Sequence, residues 1–158
     1  SPCMFCYKAN FLFSTAIKFI EPHIIHQDNL YCTSIGLRAN AIYINTTPLY
    51  TVVLSKNSTL RSTMTPERHK KEAYAYITLL REYDKMKNAH IKKYKKMLTK
   101  NCRYFAKMLI KHFDKIDFVS RKTICKDISK YYRYFGAKRL VLLLYYRYEI
   151  LFNKVDNE

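Results

Sequence analysis

Cys3 and Cys6 form a Cys-x-x-Cys pair, His23 and His26 form a His-x-x-His pair, and Cys32 follows shortly after. Thiolates and imidazoles are the ligands zinc prefers, and a Cys-x-x-Cys knuckle presents two thiolates to one ion while an intervening segment returns a second pair to complete a tetrahedron. Two ligand sets fit this spacing. One is Cys3, Cys6, His23 and His26; the other replaces His26 by Cys32. Glu21 is the one carboxylate between the two ligand pairs, too little acid–base equipment for a catalytic metal, so the expectation is a structural zinc. The five cysteines form an odd, unevenly spaced set, which favours metal ligation or buried thiols in a reducing intracellular compartment over a disulfide framework. Cytoplasm, nucleus and mitochondrial matrix all satisfy that description.

The second chemistry is electrostatic. Residues 65–158 hold 24 of the 29 Lys and Arg against 10 of the 12 Asp and Glu. The chain's net charge of +17 therefore lies almost wholly in that stretch. A charge so one-sided repels itself unless an anionic partner neutralises it, and nucleic acid is the commonest large polyanion. The densest cluster is Lys92, Lys93, Lys95 and Lys96, continued by Lys100, Arg103 and Lys107. On a helix Lys92, Lys96, Lys100, Arg103 and Lys107 recur about once per turn along one flank. Between Lys85 and Lys111 there is no Asp or Glu, so salt bridges along the helix do not account for the run. A second set comprises Arg121, Lys122, Lys126, Lys130, Arg133, Lys138 and Arg139. Tyr131, Tyr132, Tyr134, Tyr145, Tyr146 and Tyr148 interleave with it, a mixture that suits RNA, where stacking and phosphate contact combine. Several of those tyrosines are expected to line a core with their hydroxyls at its rim.

Other chemistries find little support. Gly36 and Gly136 are the only glycines, which argues against a glycine-rich phosphate loop. No Ser-His-Asp, Cys-His or paired-carboxylate arrangement stands out, and the expectation is a non-catalytic protein. The longest apolar run, Leu140 to Tyr146, is far too short to span a bilayer. The spacing from Cys3 through His23 is similar to that of a BIR-type zinc finger, but the glycines, tryptophan and acidic motif of that family are missing and Cys32 falls two residues late.

These residues need elements to hold them. Ala41–Asn45 and Leu49–Leu54 are β-branched or aromatic in character and flank Thr46-Thr47-Pro48, which predicts a short β hairpin. Thr65-Pro66-Glu67 is a helix start: a capping hydroxyl, a proline in the first turn and an acid near the positive end of the dipole. From there steps of three and four carry Ile77, Leu80, Ile91, Tyr94, Leu98, Phe105 and Met108 on one stripe, interrupted by Asp84, Lys87, Asn101 and His112. That pattern predicts one long basic helix, or two with a break near residue 88 or 100. A further helix is expected to start within Asp117 to Ser120, with Ser120 as cap, and to stop at Gly136; an almost wholly apolar one follows from Ala137 to Phe152, buried in the domain or against a partner.

The sequence thus predicts a mainly α protein with a small β element. A Cys/His-bearing module with a short hairpin spans 1–64, and a basic domain of three to four helices spans 65–158. The function it predicts is a non-catalytic RNA-binding structural subunit of a ribonucleoprotein, such as a ribosomal or organellar-ribosomal protein. The alternatives are a DNA-associated viral or transcription factor and a basic subunit of an assembly with an acidic protein partner.

Overall fold

The computed structural model describes residues 6–22, 24–43, 63–89 and 92–152, with side chains described as far as residue 148. Among them six α-helices follow one another: α1 (Ala9–Thr15), α2 (Gln27–Gly36), α3 (Pro66–Ala89), α4 (Lys92–Phe113), α5 (Phe118–Ile128) and α6 (Ala137–Phe152), with a 3₁₀ segment (Ser129–Tyr134) between the last two. The mainly α expectation holds, and no strand occurs among the described residues. The expected hairpin falls largely on residues 44–54, outside the described set; residues 41–43 carry no regular structure.

α3 and α4 form the centre. The Thr65 hydroxyl accepts from the Arg68 amide (3.2 Å) and its carbonyl from the His69 amide (2.9 Å), so α3 begins where its capping signal lies. The break between the two helices falls near residue 88, while α4 runs uninterrupted through residue 100. The helices pair antiparallel: His69 meets His112, Tyr76 stacks near Phe105, and Tyr83 meets the edge of the same ring. Leu79, Leu80 and Tyr83 from α3 and Leu98, Cys102, Leu109 and Phe113 from α4 are completely buried. The α4 seam therefore runs through Cys102 and Leu109, one position over from the predicted Asn101 and Met108. α3 buries nearly every other side of itself as well, because α2 and α5 also pack on it.

α2 contributes Leu30 to the same core, and its polar side locks onto α3. The buried Tyr83 hydroxyl donates to Asn29 Oδ1 (2.8 Å) and shares a 2.6 Å hydrogen bond with Thr33. α5 starts at the beginning of the expected Asp117–Ser120 stretch. Asp117, not Ser120, is the cap: its carboxylate accepts from the Ser120 amide (2.8 Å) and hydroxyl (2.7 Å), leaving Ser120 buried inside the first turn. Those hydrogen bonds hold the Asp117 carboxyl down at about 2. Gly136 is likewise reassigned. The chain leaves α5 through the 3₁₀ segment and an extended Phe135, and the Gly136 carbonyl then accepts from the Arg139 and Leu140 amides to start α6. α6 turns Leu143 and Tyr146 into the core, but Val141, Leu144 and Tyr145 lie exposed. The expectation of a helix buried within the domain is thus met on one side only.

Candidate nucleic-acid interface

The buried residues of α4 (Leu98, Cys102, Phe105, Ala106, Leu109, His112 and Phe113) follow helical steps along one face. Opposite them stand Lys92, Lys96, Lys100, Arg103 and Lys107, every one exposed. Lys111 extends the row by another turn and is exposed too. Nineteen residues separate its first and last members, which at ~1.5 Å per residue makes a straight ridge of about 28 Å. Lys93 and Lys95, also exposed, widen its first turn. Lys111 was missed because the sequence reading stopped at Lys107, although one more step of four reaches it. Tyr104, 51% exposed, and Met97, 43% exposed, border the ridge; Tyr104 is the second residue missed, and its place between Arg103 and Lys107 was the available signal.

Where the acids go sharpens the picture. Asp84 and Glu72 are buried, Asp117 lies 3.5 Å from Lys70, Asp127 2.9 Å from Arg81, and Glu82 2.7 Å from Lys85. Among the described residues no carboxylate reaches a cation of α4; Lys93 alone has a partner, its ammonium sitting 5.7 Å from the Tyr94 ring centroid. Ion pairs instead join α3 to His26 before α2, to Asp117 and Asp127 at the two ends of α5 and to Arg133 of the 3₁₀ segment.

The second predicted set divides. Lys126, Lys130 and Lys138 are exposed, while Lys122 and Arg139 are half-buried. Arg121 lies over the Tyr146 ring (5.6 Å), and Arg147 reaches the Tyr132 hydroxyl (3.4 Å). Arg133 is exposed but paired: its guanidinium donates to both Asp84 oxygens at 2.7 and 2.9 Å. Asp84 also accepts from the Tyr134 hydroxyl, which in turn accepts from the Lys87 ammonium at 2.7 Å. Burial pushes the Asp84 carboxyl up, but the hydrogen bonds from Tyr134 and Arg133 and the charges of Arg133 and Lys87 outweigh it and leave the group below its ordinary value. Tyr131, Tyr134 and Tyr146 are buried, Tyr132 is half-buried, and Tyr145 and Tyr148 are exposed, so half of the six interleaved rings serve packing.

The chain matches no protein-family model, no curated protein and no solved structure. Its chemistry is read from the geometry alone.

Of the predicted zinc ligands, Cys3 and His23 lie outside the described residues. Cys6 is exposed, and Cys32 is half-buried with its Sγ 4.0 Å from the Tyr7 hydroxyl. His26 Nε2 is occupied by Glu72 Oε2 (3.0 Å) and the Tyr76 hydroxyl (3.1 Å). Among the described residues no three His, Cys, Asp or Glu converge as metal ligands, and no helix is long and apolar enough to cross a membrane.

At the end where α3 begins and α4 finishes, two imidazoles meet. His69 Nδ1 and the buried His112 Nδ1 lie 2.9 Å apart. One must donate and the other accept, so the pair holds only while one ring keeps a bare Nδ1. Burial, chiefly, pushes the His112 pKa down; Glu72 opposes this, while His69, Lys115 and Lys111 reinforce it. A lowered folded-state value means the unfolded chain takes the proton first. Stability is therefore full above the ordinary histidine range near pH ~6.5 and falls as pH drops through it. Between pH 7.5 and 5 the urea midpoint should drop by the equivalent of about 1 kcal/mol, the net worth of one buried hydrogen bond. His112→Gln should flatten that slope, and an unchanged slope in the variant would assign the acid sensitivity elsewhere.

Proposed function

We propose that this protein is a non-catalytic RNA-binding subunit of a ribonucleoprotein, and that the α4 ridge is its contact with the phosphate backbone. The observation that carries the reading is the straight row Lys92–Lys96–Lys100–Arg103–Lys107–Lys111, left without a single carboxylate partner among the described residues, while Glu82, Asp84, Asp117 and Asp127 pair with cations outside α4. Phosphate contacts position a protein without reading sequence, so this surface favours affinity over base choice. Tyr104 at its border offers a ring to an unpaired base, which favours irregular RNA over a regular duplex. A ribosomal or organellar-ribosomal setting suits such a subunit. A structural zinc on Cys3, Cys6, His23 and Cys32 belongs to the same proposal. His26 is the alternative to Cys32: Glu72 and Tyr76 hold its Nε2, which leaves Nδ1 for a metal.

The test is a titration of structured RNA and of duplex DNA at matched ionic strength. A ridge of six cations should give a plot of log K against log salt with a slope of about −4 to −5, and RNA should bind more tightly than DNA. An affinity indifferent to salt sinks the proposal, and a preference for duplex DNA favours a DNA-associated factor instead.

A further inference from the structure

The outer side of α6 carries an exposed apolar row. Val141 (67% exposed), Leu144 (48%) and Tyr145 (61%) fall at i, i+3 and i+4, and Tyr148 (58%) continues the row at i+7. That is the spacing with which a helix presents an apolar stripe to another helix. The inward side of α6 is separate, turned to the core by Leu143 and Tyr146. Charged side chains flank the stripe, Lys138 near its start and Arg147 near its end, both exposed.

The surroundings select the occupant. Residues 118–152, to the end of α6, carry eight Lys and Arg against two carboxylates, Asp127 and Glu149, and Asp127 is already paired with Arg81 at 2.9 Å. A second copy of the chain would bring two such fields together, which like-charge repulsion opposes. RNA would meet the cations and the rings of Tyr145 and Tyr148, but Val141 and Leu144, the other half of the row, offer it neither a planar ring nor a donor. An amphipathic helix with an apolar stripe and acidic flanks satisfies both features: its stripe buries Val141, Leu144 and Tyr145, and its carboxylates meet Lys138 and Arg147.

We infer that the α6 face docks an acidic amphipathic helix of a neighbouring protein. This site is separate from the α4 ridge, so one subunit would join RNA on one helix to protein on another. It also gives the acidic-partner alternative a definite address that does not compete with RNA.

The probe is a pair of helical peptides of about 20 residues, ~30 Å long, with Leu at i, i+3, i+4 and i+7 and either Glu or Lys on the flanks, titrated into the full chain by fluorescence anisotropy. The Glu-flanked peptide should bind at least ~10-fold more tightly than the Lys-flanked one. Val141→Ser with Leu144→Ser, both exposed positions, should weaken it at least ~10-fold while far-ultraviolet circular dichroism stays unchanged. A ridge variant carrying Lys96→Glu, Lys100→Glu and Lys107→Glu should bind the peptide as before, which separates this result from the RNA reading. Equal binding of the two peptides, or no effect of the serine pair, overturns the inference. So does a concentration-dependent dimer that the serine pair dissolves, which would make a second copy the occupant. Displacement of the peptide by oligo(U), with RNA binding lost in Tyr145→Ala, would hand the face to RNA.

Discussion

Replacing Lys96, Lys100, Arg103 and Lys107 by glutamate is expected to weaken RNA binding at least ~100-fold near 0.1 M salt and to reduce the steepness of its salt dependence by about three. The arithmetic is direct: each phosphate neutralised on single-stranded nucleic acid contributes roughly 0.7 to the slope, and four contacts are removed. Four carboxylates would then face the polyanion and add repulsion to the lost attraction. The fold should tolerate the change, since all four side chains are exposed and no ion pair among the described residues involves them. Glutamate is a good helix former, and stability should stay within about 0.5 kcal/mol in urea. Lys126→Glu, Lys130→Glu and Lys138→Glu together make the comparison. These residues are exposed but belong to no straight row, and their loss should cost RNA affinity less than the ridge does. Equal losses from the two sets would reduce the ridge to one part of a diffuse positive field, and no loss from the ridge set would remove α4 from the interface.

That ridge was legible in the sequence for a simple reason: a run of cations with no intervening acid cannot pair with itself along a helix, whatever the fold. The Thr65-Pro66-Glu67 start of α3 and the break near residue 88 were legible on equally local grounds. What escaped was long-range. Asp84, Lys87 and His112 look like faults in an apolar stripe, yet the structure pairs each of them: Asp84 with Arg133 and Tyr134, Lys87 with the Tyr134 hydroxyl, His112 with His69. Their partners outside the local turn lie more than forty residues away in the chain, beyond any periodicity. Arg133 is of the same kind: it pairs with Asp84 across the fold while its side chain stays 54% exposed, and the sequence shows no sign of that pairing. Ser120 and Gly136 show a milder form. Both sit at helix starts, but Asp117 wins the cap because a carboxylate takes both the amide and the hydroxyl of Ser120, and Gly136 opens α6 because the chain has already left α5 at Ile128. α6 shows the converse: its apolar character all round was visible, and the structure divides it into a core side and an outer side.

The largest loss of stability from a single polar side chain is expected at Asp84→Ala, at about 3 kcal/mol in chemical denaturation. Asp84 is buried on α3 and is the shared acceptor for the 3₁₀ segment, through Arg133 Nη2 at 2.7 and 2.9 Å and through the Tyr134 hydroxyl. Without it the buried Tyr134 hydroxyl loses its acceptor, and the Lys87 ammonium, 3.9 Å from the carboxylate, loses its counter-charge in a largely enclosed setting. Arg133→Ala should cost far less, about 1 kcal/mol or under, because that side chain is 54% exposed and water can replace much of what it gives. The asymmetry is the test: it follows from leaving buried donors unsatisfied on one side of the pair and an exposed cation on the other. Acid should mimic the alanine change. The Asp84 carboxyl titrates below its ordinary value in the fold, so its stabilisation is complete above the unfolded-state value near pH ~4 and drains away as pH falls through the folded one. Asp84→Asn keeps the shape, removes the charge and should erase that part of the acid slope. If Asp84→Ala costs no more than Arg133→Ala, the cluster is an exposed ion pair in energetic terms and the 3₁₀ segment is held by Tyr131, Tyr134 and Phe135 in the core instead.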